Sequence, residues 1–306
     1  MNPPDLGRVL TAMATPFKAD GDLDLDGAAE LANLLVHNGN DGVVVAGTTG
    51  ESPTLGHAEK LELLRAVRSA IPGKPLVMGT GSNDTRASIE LSREALKLGA
   101  DVVMAVVPYY NRPPQKSLYA HFSAIAAAID GPLLMYNVPS RTVANLAAET
   151  SIRLSQVDNI IALKEASSDL GQCAAVCAGA APGFRVYSGD DSLTLAMLAC
   201  GAHGVVSVAG HFAGRGISEM IEAHFAGRPA EATRLQARLL RIFSEVFCTT
   251  SPVPTKALFR ELGMDIGDTR LPLVMDEISE AQLASLLGAF HELGELGARI
   301  PLTART

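Results

Sequence analysis

Residues 159–170 read NIIALKEASSDL, four apolar residues from Ile160 to Leu163 running straight into Lys164. An amine where the chain leaves a buried strand has a chemical use. Apolar surroundings disfavour the ammonium form of a lysine, and the neutral amine is a nucleophile that condenses with a carbonyl to a Schiff base. The alternative is a structural lysine that reaches out past the strand rim or pairs with a carboxylate. Side chains alternate along a strand, so Lys164 and Glu165 point to opposite faces.

Tyr136 lies at the end of the preceding apolar run, PLLMYNVP (132–139). A phenol there falls within reach of an amine on the next strand. Schiff-base formation needs a group that moves protons on and off the carbinolamine oxygen, and a hydroxyl relay through Thr48 would connect Tyr136 to solvent. Otherwise Tyr136 is a core aromatic with one bonded hydroxyl. Arg141 follows five residues later. Its planar fork suits a carboxylate, although a solvated loop charge is the plain alternative. GTTGES (47–52) brings hydroxyls and backbone N–H groups that could hold a second carboxylate. Cys173 and Cys177 stand one helical turn apart, but no histidine lies at metal-motif spacing from them. They read as small apolar helix residues in a reducing compartment.

These residues need strands to present them. Short apolar runs recur at 9–17, 42–47, 75–80, 101–108, 132–139, 160–167, 184–190 and 204–210. They are β-branched and almost continuously apolar, as parallel strands covered on both faces require. Amphipathic stretches at 24–38, 57–71 and 85–99 separate the first of them, the second ending at Pro72-Gly73 and the third at Gly99. Eight consecutive βα units predict an α/β fold, a (β/α)8 TIM barrel over residues 1–225. A doubly wound sheet is less suited, because no GxGxxG follows the first strand. Residues 226–306 predict an α-helical extension, with helices at 231–247 and 279–294. Chemistry in such a barrel gathers at the C-terminal strand ends, where Thr48, Tyr109, Tyr110, Tyr136, Lys164 and the SGDD segment (188–191) all fall.

The chain has 306 residues, a formal charge of −8, no tryptophan and 5% aromatics. The charge is spread rather than gathered in a tail, which argues against nucleic acid or an anionic membrane as partner. MNPPDLGRVL lacks a basic segment followed by an apolar run, and no stretch of membrane-spanning length escapes interruption. A cytoplasmic protein is expected.

In this order, GTTGES, VVPYYNRPPQ, MYNVPSRT, IIALKEAS, YSGDD and GVVSVAG resemble the pyruvate-dependent class I aldolase family. More closely they resemble its dihydrodipicolinate synthases, as do TSPVPTKALFRELG and DTRLPL further on. The resemblance runs from about Gly7 to the last helix. It implies that pyruvate condenses with L-aspartate 4-semialdehyde to 4-hydroxy-tetrahydrodipicolinate, in lysine and diaminopimelate biosynthesis. Lys164 would carry the Schiff base and Tyr136 would shuttle protons, with Thr48 and Tyr110 completing the relay. The tyrosine matching Tyr110 reaches into the adjacent subunit's site in this family. Thr49 would hold the pyruvate carboxylate, Arg141 the semialdehyde carboxylate, and Gly189 and Val206 would line the site by backbone contacts. The resemblance asks for no metal or organic cofactor and suggests a homotetramer built from dimers.

Other 2-oxo-acid aldolases and dehydratases of the superfamily share the lysine and the YN-P segment. N-acetylneuraminate lyase relatives usually carry GSTGE instead of GTTGE. A non-catalytic metabolite-binding barrel is the reading from a different class. Lysine-inhibited members carry a histidine and a glutamate in an inhibitor pocket between subunits; here Lys60 and Ala87 stand at the matching positions. Ser52, His57, Asn83 and Tyr109 still fit its outline. Weak or absent inhibition by lysine is expected.

Overall fold

The structure, a computed structural model, describes residues 4–300. All eight apolar runs form strands: β1 (Val9–Ala12), β2 (Gly42–Val45), β3 (Leu76–Gly79), β4 (Val102–Val106), β5 (Leu133–Asn137), β6 (Ile160–Glu165), β7 (Arg185–Ser188) and β8 (Gly204–Ser207). The helices are α1 (Leu25–His37), α2 (His57–Ala70), α3 (Thr85–Lys97), α4 (Gln115–Ala128), α5 (Pro139–Thr142), α6 (Ala148–Leu154), α7 (Leu170–Gly179), α8 (Thr194–Ala199), α9 (Gly210–Phe225), α10 (Pro229–Glu245), α11 (Val253–Glu261) and α12 (Glu280–Glu292). The strands are parallel and close into a TIM barrel in chain order, and the chain continues into helices alone after Phe225 among the described residues.

By its internal contacts the chain divides into two compact units. One is Pro75–Val206 with the chain up to Arg8; the other is Val9–Lys74 with the chain from Ser207 onward. In the first, β3 to β7 form a continuous parallel ladder. Val102, Val103, Leu133, Leu134, Ala162 and Leu163 are fully buried there. Each such Val or Leu side chain contributes roughly 1.5–3 kcal/mol through the water it sheds. In the second unit β1 pairs with β2, and Val43, Val44 and Val45 are fully buried.

Helix starts follow local chemistry. Asp24 caps α1 by accepting the Gly27 N–H at 2.9 Å, and a Cβ on Gly27 would stand 2.5 Å from the Asp24 carboxylate. Asp84 caps α3, Asp169 caps α7, and Ser279 with Gln282 forms a capping box on α12.

His211, in the first turn of α9, is fully buried. Its Nδ1 donates to the Val208 carbonyl at 2.7 Å, and its Nε2 accepts the Ala14 N–H at 3.1 Å. Both nitrogens are committed as a neutral ring, and burial pushes the pKa from 6.5 down to about 4. Below pH 6.5 the unfolded chain takes up a proton that the folded chain refuses. The stability is complete above that pH and is lost as pH falls toward 4. Between pH 7 and pH 5 this group alone should cost about 2 kcal/mol. Denaturant midpoints of wild type and His211→Gln at the two pH values check this. The variant should show the smaller pH dependence, and equal dependence would remove His211 as the cause.

Candidate active site

The β5–β6 register sets Tyr136 opposite Lys164 and Asn137 opposite Glu165. Alternation then sorts these residues into two cross-strand pairs on opposite faces. Gln172 of α7 bonds Glu165, so the Asn137–Glu165 pair lies on the helix-covered outside. The Tyr136–Lys164 pair therefore faces the barrel interior.

Lys164 is 6% exposed, and its Nζ lies 4.3 Å from the centre of the Tyr136 ring. This is a cation–π contact in geometry. Among the described residues no carboxylate pairs with the amine. If charged, a buried lysine without a counter-ion is electrostatically uncompensated. Gly189, just past β7, closes the other side of its stem. The Gly189 N–H donates to the Glu165 carbonyl at 2.7 Å. A Cβ on Gly189 would come within 3.1 Å of Lys164 Cε and 2.7 Å of the Ala166 methyl. A side chain at 189 would therefore clash with Ala166 and crowd the lysine stem.

The outside pair was not singled out from the sequence. Glu165 is 1% exposed and is in no ion pair among the described residues. It accepts instead from Asn137 Nδ2 at 3.0 and 3.2 Å, from Ser167 N–H at 2.7 Å and from Gln172 Nε2 at 2.9 Å. Asn137 in turn donates to Asn145 Oδ1 at 2.8 Å and accepts the Leu146 N–H at 2.9 Å. Gln115 binds the Asn145 carbonyl at 2.7 Å and the Ala147 N–H at 3.1 Å. A satisfied buried network of this kind is stiff. It anchors the end of β6 and the chain just past Arg141. The signal in the sequence was the pair of dipeptides, Tyr136-Asn137 and Lys164-Glu165, each placing a polar residue after a chemical one.

The other expected residues of this unit are spread out. Arg141 lies on the short helix α5, exposed, with its guanidinium in no ion pair among the described residues. Val206 is buried in β8. Tyr110 is 90% exposed and holds φ = 75°, a left-handed conformation that costs an aromatic residue about 1 kcal/mol or more. Its phenol stands in solvent within this chain and is not gathered against Tyr136.

Thr48 and Thr49 belong to the second unit, on the turn after β2. Thr49 is buried and Thr48 half-buried. The turn closes by Glu51 N–H to the Thr48 carbonyl at 3.0 Å and Ser52 N–H to the Gly47 carbonyl at 3.1 Å. Thr15 Oγ1 donates to the Gly50 carbonyl at 2.7 Å.

The sequence profile of the Dihydrodipicolinate synthetase family matches residues 5–289. The chain belongs to this family. It is 51% identical over 294 residues to the 4-hydroxy-tetrahydrodipicolinate synthase of Thermosynechococcus vestitus, covering 95% of this chain and 99% of that one. It is 54% identical over 269 residues to the enzyme of the same name from Moorella thermoacetica, covering 88% and 92%. A crystal structure of dihydrodipicolinate synthase from Cyanidioschyzon merolae with lysine bound superposes with a TM-score of 0.92. It shares 47% identity over 94% of this chain and 98% of that one.

Lys60 and Ala87, which the resemblance matches to the inhibitor pocket of lysine-inhibited members, lie on α2 and α3. Lys60, on α2, is half-buried, and burial pulls its ammonium below the ordinary lysine pKa. Ala87 is exposed in the first turn of α3 and offers no charge.

Proposed function

We propose that this chain is a Schiff-base lyase of the class I aldolase type. It condenses pyruvate with L-aspartate 4-semialdehyde to 4-hydroxy-tetrahydrodipicolinate, in lysine and diaminopimelate biosynthesis. The observation that carries the reading is the buried amine of Lys164, without a counter-ion, against the ring of Tyr136.

In this proposal Lys164 Nζ attacks C2 of pyruvate to give a carbinolamine, which loses water to form an imine. The imine draws electrons from the methyl carbon, which gives up a proton and becomes the nucleophilic end of an enamine. That carbon attacks the aldehyde. The amine of the former semialdehyde then attacks C2, closes the ring and expels the Lys164 amine. Tyr136 moves the protons on and off oxygen, through Thr48 and a Tyr110 supplied by a neighbouring copy. The solvent-facing phenol of Tyr110 supports that assignment. Thr49 holds the pyruvate carboxylate, Arg141 the second one, and Gly189 and Val206 line the site. Residues 1–225 act as the catalytic barrel and 226–306 as a helical extension, their termini 1–3 and 301–306 lying outside the described residues, in a cytoplasmic homotetramer. No helix of the described residues is long and apolar enough to cross a membrane.

A coupled assay with both substrates tests the reading, repeated with Arg141→Ala. Loss of a charge-assisted fork should raise the semialdehyde KM by about 10- to 100-fold. Trapping of pyruvate on the enzyme by borohydride should be untouched. Equal damage to both steps would reassign Arg141, and preference for another aldehyde would reassign the substrate.

Lysine should inhibit this enzyme weakly or not at all. Lys60 brings a positive charge toward a cationic ligand, and Ala87 offers no anion to pair its ammonium. Half-maximal inhibition at submillimolar lysine in the same assay would contradict this.

A further inference from the structure

The fold contains a second buried lysine, and its surroundings are the opposite of those at Lys164. Lys256, on α11, is 0% exposed. Its Nζ lies 2.8 Å from Glu51 Oε1, donates to the Asp268 carbonyl at 2.9 Å and sits 4.3 Å from the centre of the Phe17 ring. The contact with Glu51 is ionic, since Oε1 accepts no well-directed hydrogen bond. The other carboxylate oxygen of Glu51 accepts the backbone N–H of Arg270 at 2.9 Å. Arg270 is itself pinned. Its guanidinium lies 4.4 Å from the Phe17 ring centre, donates to the Gly21 and Thr54 carbonyls at 2.8 and 2.9 Å, and pairs with Glu59 at 2.5 Å.

Glu51 has no step in the proposed chemistry, yet it ends the GTTG turn that carries Thr48 and Thr49. The turn is bracketed by two non-glycine residues in left-handed backbone, Ala46 at φ = 50° and Glu51 at φ = 54°. Such residues persist where the surroundings over-determine them. Packing restricts the middle of the turn. A Cβ on Gly50 would lie 3.0 Å from the Met13 carbonyl and 3.2 Å from the Ala46 nitrogen. Its far end is fastened by two residues from beyond the eighth βα unit, Lys256 and Arg270.

We infer that Lys256 and Arg270 are positioning residues: gripping both carboxylate oxygens of Glu51, they hold the 47–51 turn in the conformation that presents Thr49 to the pyruvate carboxylate and Thr48 to the proton relay. The helical extension is thereby part of the binding apparatus and not only a cover. The inference rests on the role proposed above for Thr49.

The double variant Glu51→Gln/Lys256→Met tests it, because it preserves volume and leaves neither charge buried alone. It should stay folded by circular dichroism. The pyruvate KM should rise about tenfold or more while the semialdehyde KM stays within about threefold, and pyruvate at saturation should still be trapped on Lys164 by borohydride. The amides of Glu51 and Ser52 should exchange with solvent about tenfold faster or more than in the wild type. Lys256→Arg, which retains the charge, should recover most of the pyruvate KM. A folded double variant with unchanged KM and unchanged exchange would overturn the inference and leave a purely structural ion pair. Amide exchange needs no substrate, so it decides the point even if the wild type forms no pyruvate adduct. That second result would overturn the Schiff-base reading instead.

Discussion

Lys164→Ala is expected to leave a folded barrel that no longer takes up pyruvate covalently and turns over at least about 10,000-fold more slowly. The argument for folding comes from the amine's surroundings. Removing one partner of a buried ion pair strands the other charge, and that is costly. Lys164 has no such partner among the described residues, so its loss strands nothing. The cost is limited to packing of its stem against Gly189 and Tyr136. The argument for inactivity is chemical. Without Nζ no covalent bond joins the keto acid to the protein, and nothing else at this position can draw electrons from the pyruvate methyl. Mass spectrometry after borohydride reduction with pyruvate reads the first effect, and the coupled assay reads the second. A folded variant that kept a tenth of its turnover would remove Lys164 from the mechanism.

The second large effect is expected at Tyr136. Tyr136→Phe keeps the ring that faces Lys164 Nζ at 4.3 Å and the backbone carbonyl that accepts the Val107 N–H at 2.8 Å. Only the hydroxyl is lost, so stability should change little. Turnover should fall by about 100- to 10,000-fold, the usual range for removing a proton-transfer group. The borohydride adduct should still form, but slowly, because amine attack survives while loss of water from the carbinolamine is impaired. Slow trapping in Tyr136→Phe, beside absent trapping in Lys164→Ala, separates a proton shuttle from the nucleophile. Trapping at the wild-type rate, with turnover unchanged, would return Tyr136 to the role of a core aromatic.

The barrel was legible because its signal is local. Parallel strands covered on both faces must be apolar at nearly every position, and the helices between them stop at residues such as Gly99, which takes up φ = 97°. Those features need no knowledge of what lies across space. The residue types at the strand ends were equally local, so Lys164, Tyr136 and Thr48 could be picked out in order. The comparisons with relatives agree with the fold and the family.

Tertiary structure alone decided which charges have partners. Lys164 and Lys256 are the same residue type, both buried, and nothing adjacent in the chain marks one as unpaired and the other as paired. The anion that holds Lys256 is Glu51, on a distant turn, and Coulomb attraction depends on distance through space rather than along the chain. Register decided that Asn137 meets Glu165, and close packing decided that position 189 has no room for a methyl group. Exposure likewise set Tyr110 apart from Tyr136 within one chain. The amino-acid order thus determined the strands and the reactive groups at their ends, because periodicity and residue type are properties of a segment. Pairing, steric room and solvent contact are properties of the folded assembly of segments, and only the fold could assign them.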